Sequence, residues 1–208
     1  MRIIGLTGGI GTGKSTAAAY LKKRGLKHID ADKISRNLTA LGSSLLPVLD
    51  GVFGPNGDMG LCGVKIIKKD GALDRKALAS VVFSDKKKTA RLNELMFTEI
   101  INRIEEEITA FDKSKTEAVL IDAPLLFESG LNKRCDIVIL MTADMDTRIK
   151  RVSCRDHVTA DDVRNRINNQ MSDKEKAAGS DVIIDNSGSK EELYTKLDDF
   201  LANIICQI

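Results

Sequence analysis

Gly8-Gly9-Ile10-Gly11-Thr12-Gly13-Lys14-Ser15 is the stretch on which the reading of this 208-residue chain turns. Its pattern is G-x-x-x-x-G-K-S, a glycine-rich loop closed by a lysine and a hydroxyl. Glycines let successive backbone N–H groups turn inward on phosphate oxygens, where a Cβ would block the approach. Lys14 adds a mobile point charge for β- and γ-phosphates, and the Ser15 hydroxyl suits a Mg²⁺ ligand. The flanks supply the context that such a pattern needs. Residues 1–6 are a short isoleucine-rich run, broken by Arg2, that reads as a buried strand. Residues 15–24 read as a helix with Ala17, Ala18, Tyr20 and Leu21 available for packing. Strand, loop and helix in that order set the loop at the positive end of a helix. This is a nucleotide-phosphate site, a P-loop, with Gly9, Ile10, Gly11, Thr12, Gly13, Lys14, Ser15 and Thr16 as its binding residues.

Outward from the loop, residues 27–30 are a second short strand candidate, followed by Ala31-Asp32. Residues 33–53 read as helix in two pieces, interrupted near Gly42-Ser43-Ser44. Glycine then recurs at every third place (Gly51, Gly54, Gly57, Gly60, Gly63), which reads as an exposed, turn-rich loop. Residues 64–73, with Asp70-Gly71, suit a small extended turn or hairpin. Helices are expected over 74–83 and 86–111; in the second, Leu92, Leu95, Met96, Ile100, Ile104, Ile108 and Phe111 form a stripe at three- and four-residue intervals. Alternation of strand and helix resumes with strands at 118–122, 136–141 and 181–184. Helices are expected at 145–155, after the capping sequences Thr159-Ala160-Asp161-Asp162 and Ser172-Asp173-Lys174-Glu175, and after Ser189. Five short apolar strands separated by helices predict an α/β fold with a parallel sheet covered on both faces. The expected organisation is a single domain: a core over 1–32 and 116–208, an inserted helical substrate subdomain over 33–115, and a lid over 148–178.

Several side chains could do chemistry on such a frame. Asp30 and Asp32 share one side of the chain if the segment is extended, at the sheet edge where ligands bind. A carboxylate there can accept the proton of an attacking hydroxyl, and an Asp can equally cap the next helix. Residues 118–122 form an apolar strand ending in Asp122, the arrangement of a carboxylate on the metal side of a nucleotide site. Arg148, Arg151 and Arg155 lie at helical intervals on one face, so guanidinium groups could close over a triphosphate.

Composition narrows the partners. A net charge of +2 implies no nucleic-acid or membrane surface, and the clusters Lys22-Lys23-Arg24 and Lys86-Lys87-Lys88 read as solvated helix faces. Cys62, Cys135, Cys154 and Cys206 show no C-x-x-C pair, and with only His28 and His157 beside them no zinc spacing exists. Reduced thiols, no leader ahead of the first strand and no apolar run near 18 residues predict a cytoplasmic protein. Nothing in the chain sets an oligomeric state.

Beyond the generic loop, Thr7-Gly8-Gly9-Ile10-Gly11 with Asp30-Ala31-Asp32 closely resembles the pattern of dephospho-CoA kinases. The runs Asp122-Ala123-Pro124-Leu125-Leu126-Phe127-Glu128, Arg155-Asp156, Arg166-Ile167-Asn168-Asn169-Gln170 and Asp185-Asn186-Ser187-Gly188 follow in the family's order. The resemblance implies transfer of the γ-phosphate of ATP, with Mg²⁺, to the ribose 3′-hydroxyl of dephospho-CoA. It implies a catalytic base at Asp32, phosphate contacts from Lys14, a lid residue in Arg155 and an adenine-side position for Asn186. It also implies a five-stranded core with an inserted CoA domain. Two departures fall on the acceptor side: Phe97-Thr98 stands where the family usually carries His-Pro, and residues 54–69 are longer and richer in glycine than the family pattern. The rival readings are a kinase of another nucleotide or nucleoside, a non-catalytic CoA-binding protein, and a nucleotide-binding regulator, which would want an N-K-x-D motif that the chain lacks.

Overall fold

A computed structural model describes residues 1–83, 85–114 and 116–205, without the side chains of Ile204 and Ile205. Cys206 and the Ile204 position of the last apolar stripe therefore lie outside the described residues. The elements run β1 (Arg2–Gly8), α1 (Lys14–Lys23), β2 (Lys27–Asp30), α2 (Ala31–Leu38), α3 (Leu45–Phe53), α4 (Arg75–Val82) and α5 (Lys86–Lys113). They continue with β3 (Ala118–Asp122), β4 (Ile137–Thr142), α6 (Met145–Asp156), α7 (Ala160–Asn168), α8 (Asp173–Ala177), β5 (Val182–Asp185) and α9 (Lys190–Ile205). The chain divides into two compact units, Met1–Asp30 with Glu107–Ile208, and Ala31–Glu106.

The first unit holds a five-stranded sheet in the order β2-β3-β1-β4-β5, every neighbouring pair parallel. Successive strand residues point to opposite faces, yet Val119, Leu120 and Ile121 are all fully buried. Apolar cover on both faces explains why the strands read as unbroken hydrophobic runs instead of alternating ones. On one face Ile4, Leu6, Leu120, Ile139 and Ile184 pack with Ala17, Ala18 and Leu21 of α1 and Leu193, Leu197 and Leu201 of α9. The small residues of α1 let its backbone lie close to the sheet, which fixes the helix that follows the loop. The central strand β1 has β3 on one side and β4 on the other, so chain connections leave it in opposite directions. Ligands bind at such a switch point, beyond the carboxyl ends of the strands, and there β1 delivers Gly8.

The second unit has its own core. Leu45, Leu46, Leu49 and Phe53 occupy one face of α3 and pack with Ile66, Leu73, Leu78, Val81 and Val82. Asp74 caps α4 by accepting from the N–H groups of Lys76 and Ala77, at 3.1 and 3.0 Å. Gly51 falls inside α3, while Gly54 ends it and the following glycines lie in turns. The expected extended turn is a bridge between Ile67 and Leu73, with Asp70 accepting from the Ala72 N–H across the bend. Helix α5 passes through Phe97-Thr98 without a break, and the Thr98 hydroxyl donates back to the Glu94 carbonyl at 2.8 Å.

One local expectation fails. Asp30-Ala31-Asp32 is not extended throughout: β2 stops at Asp30 and α2 begins at Ala31. Ala31 is buried and has high helix propensity, and Asp32 in the first turn complements the helix dipole. Strand alternation therefore does not relate the two aspartates. Among the described residues, no helix is long and apolar enough to cross a membrane.

Candidate active site

The loop leaves β1 at Gly8 and enters α1 at Lys14 with left-handed backbone at Gly11 (φ 82°) and Gly13 (φ 86°). A side chain at Gly11 would also press on the backbone of Arg148, and one at Gly13 would collide with the Asn186 amide. Both positions therefore demand glycine on conformation and on space. Gly13 is the N-cap of α1, which carries no side-chain cap and no acidic residue in its first turn. Its N-terminal partial positive charge is left for an anionic ligand.

Lys14 reaches across to Asp122 at the end of β3 and makes an ion pair with its Oδ1, with side chains only 12% and 9% exposed. His28 Nε2 lies 3.5 Å from the other carboxylate oxygen, near enough for attraction but outside hydrogen-bond geometry. Burial works to raise the Asp122 carboxyl. The His28 imidazole and the Lys14 ammonium outweigh it and hold the group below the usual carboxylate range. Asp122 is thus kept ionised. The parallel register sets it level with Leu6 of β1 and Asp30 of β2, at the same edge as the loop.

Residues far along the chain complete the loop's surroundings. The Thr12 hydroxyl donates to the Gly9 carbonyl at 2.9 Å, closing the loop on itself. Asn186, buried just beyond β5, donates its amide to the Thr12 carbonyl at 2.8 Å. Arg151 Nη1 in turn donates to the Asn186 carbonyl at 2.9 Å. Arg148 and Gln170 bind the backbone of Ile10. Pro124, in the run after Asp122, offers its carbonyl to the Thr7 hydroxyl and to the ammonium of the buried Lys176, each at 3.2 Å.

Of the residues singled out from sequence, Gly9 to Thr16, Asp122 and Asn186 lie together in the first unit. Asp32 lies in the first turn of α2, in the second. Arg155 is 63% exposed and engages Asp156 through two hydrogen bonds of 2.7 and 3.1 Å, with Arg166 on the same carboxylate. Among the described residues no bond joins it to the loop; from the same helix Arg148 bonds the Ile10 carbonyl directly, and Arg151 bonds Asn186, which in turn holds Thr12. Gln170 closes the Arg166–Gln170 run read from the sequence, but that reading gave it no role, and Lys176 was not singled out. Their hydrogen bonds go to the Ile10 N–H and the Pro124 carbonyl, backbone groups that no side-chain spacing encodes.

The residues present fit Mg²⁺. Ser15 and the ionised Asp122 are hard oxygen donors, and the ion is usually held by one or two carboxylates together with substrate phosphates. A closed protein cage is not needed, and among the described residues no cluster of three or more acidic, His or Cys side chains forms one.

The family model for dephospho-CoA kinase matches residues 2–192. The chain belongs to the dephospho-CoA kinase family. A dephospho-CoA kinase from Fusobacterium nucleatum is 36% identical over 203 residues, covering 97% of this chain and 98% of that one. Among solved structures, a Thermus thermophilus protein is 31% identical with a TM-score of 0.78, covering 97% of both chains. A Campylobacter jejuni dephospho-CoA kinase is 27% identical with a TM-score of 0.72, covering 98% of both. The fold is thus that of the P-loop kinases, and the chain is an ATP-dependent phosphotransferase acting on dephospho-CoA.

Proposed function

We propose that this chain phosphorylates the ribose 3′-hydroxyl of dephospho-CoA with Asp32 as general base and Lys14 as the cation on the transferring phosphate. The observation that carries the reading is the charge arrangement at the loop: an uncapped, positive helix end with Lys14 and an ionised Asp122 beside it. Nucleotide binding exchanges the Lys14–Asp122 pair for Lys14 on the β/γ-phosphates, which frees the Asp122 carboxylate. Ser15 and Asp122 would hold Mg²⁺, which would neutralise charge on the phosphate oxygens. Asn186 borders the adenine side, and its amide bond to Thr12 ties that side to the loop.

Asp32 takes the proton from the 3′-hydroxyl, the oxygen bonds to the γ-phosphorus, and the bond to the β-phosphate oxygen breaks to release ADP. Its support is its place in the chain, two residues beyond the end of β2, and its match to the family's Asp-Ala-Asp pattern. The unit Ala31–Glu106 serves as the substrate subdomain, and within the expected lid over 148–178 the stretch between the loop contacts of Arg148 and Gln170 brings Arg155 to the phosphates on closure. A cytoplasmic setting agrees with the free thiols of Cys62 and Cys154, both exposed.

A coupled assay of ADP release, with dephospho-CoA and then with nucleoside monophosphates as acceptors, tests the reaction. Asp32→Asn is expected to lower turnover by ~10²–10⁴, the range of general-base contributions, with ATP affinity nearly intact. Parent-like turnover in that variant would remove Asp32 from the chemistry.

A further inference from the structure

We propose that Arg148 and Gln170 are positioning residues that hold Ile10, and with it the front of the phosphate loop, in nucleotide-binding shape. The proposal rests on the reading of the loop as a nucleotide site. Ile10 stands between Gly9 and Gly11, so the peptide planes on either side of it could rotate at little steric cost. Both of its backbone polar groups are instead taken by side chains. Gln170 Oε1 accepts from the Ile10 N–H at 2.9 Å, and Arg148 Nε donates to the Ile10 carbonyl at 2.8 Å. Because each peptide unit is planar, fixing the N–H and the C=O of one residue fixes the two planes that flank it.

The clamp is itself held. The Arg148 side chain is 6% exposed, and its Nη1 donates to Asp173 Oδ2 at 3.0 Å. Asp173 opens α8, three residues after Gln170, and the Ser172–Glu175 capping box fixes the start of that helix. One short segment therefore presents both the acceptor for Ile10 and the carboxylate that orients the arginine. The Arg148 backbone also packs against Gly11, and so does the Val152 side chain one turn along α6. A guanidinium suits the task because Nε and Nη1 are separate donors held in one plane, so the carbonyl and the carboxylate are met from two fixed points, where a lysine would bring a single nitrogen on a flexible stem. An ion pair with Asp173 alone would stabilise the packing of α6 on α8 and would leave the loop indifferent to the identity of the cation.

That difference sets the test. Arg148→Lys keeps a positive charge opposite Asp173 and gives up the carbonyl contact; Gln170→Met keeps the bulk and removes the acceptor. Amide hydrogen exchange on the ligand-free proteins is expected to quicken in residues 9–13 of both variants, with other segments and the melting temperature as in the parent. Calorimetry is expected to show ATP affinity about tenfold weaker, the size of one lost hydrogen bond. In turnover, KM for ATP should rise more than kcat falls, and KM for dephospho-CoA should stay as it was. Parent-like exchange in residues 9–13 together with parent-like ATP affinity in both variants would overturn the proposal. So would loss of protection spread over all helices with a lowered melting temperature, since that marks a general packing role. Failure of the parent itself to bind ATP would sink the nucleotide reading, and the exchange measurement would still decide whether the clamp holds the loop.

Discussion

The phosphate loop and the unit Ala31–Glu106 are held in shape by opposite means. The loop has little packing of its own and takes its form from groups far along the chain: Asp122 on Lys14, Arg148 and Gln170 on Ile10, Asn186 on Thr12. The second unit is shaped by an apolar core whose members all come from residues 38–96. A motif can thus be read locally while its geometry is maintained from a distance, and a unit can be maintained locally while its purpose stays unwritten in any motif. The sharpest way to break the comparison is to damage the local core. Phe53 is fully buried in it, and Phe53→Ala should cost ~3–5 kcal/mol of local stability. Amide exchange is expected to rise across 31–106 while β1, β3 and β4 keep their protection and ADP still binds. Uniform loss of protection in both units would show that the second core does not stand alone.

Much of the donor side was legible because its chemistry demands particular residues at fixed spacing. Gly11 and Gly13 are required by left-handed backbone and by close neighbours, so the pattern survives as a pattern. Asp122 was legible for a related reason: a parallel strand that runs to the sheet edge puts its last residue beside the loop. The fork at Ala31 was not. Whether a chain leaving a strand continues extended or turns at once into helix depends on burial of Ala31, which the sequence does not state. Arg148 and Arg155 look alike in the sequence, one buried against the loop and the other out on Asp156, because helical spacing fixes a face and not the depth of what it meets. The second unit was read as helices with a glycine-rich interruption. Its core was hidden, since Ile66 and Leu73 come from an irregular segment with no period to reveal them.

A smaller effect separates the two regions by pH. The folded-state pKa of Asp122 lies below its unfolded value of ~3.9. The native state then binds fewer protons than the unfolded one, so this group stabilises the fold above the unfolded pKa. That contribution disappears as pH falls through the folded pKa. Asp122→Asn should therefore flatten the acid limb of the first unit's stability below about pH 4, where denaturant melts at stepped pH can follow it. The second unit's protection should be unchanged by the substitution. An acid limb as steep as the parent's would show that Lys14 and His28 do not hold the carboxylate ionised.

The smallest expected effect tests how the loop depends on its distant supports. Ser172 and Thr159 each close a capping box, at the starts of α8 and α7. Replacing either by Ala removes the same kind of bond, at ~0.5–2 kcal/mol of helix stability. The two helices differ in what they carry. Helix α8 begins with Asp173, which seats Arg148 against Ile10, whereas the Thr159 box is closed by Asp162, with Arg166 further along α7 bonded to Asp156. Ser172→Ala should therefore weaken ATP binding by a factor of two or so, well short of the loss from removing an Ile10 contact directly. Thr159→Ala should loosen α7 by a similar amount and leave ATP affinity as it was. Calorimetry on the pair, with amide exchange in 160–168 and 172–178 to confirm equal fraying, measures the difference. Equal affinities would mean that the start of α8 can fray without disturbing Arg148, and that the guanidinium is held by Ile10 and Gly11 more than by Asp173.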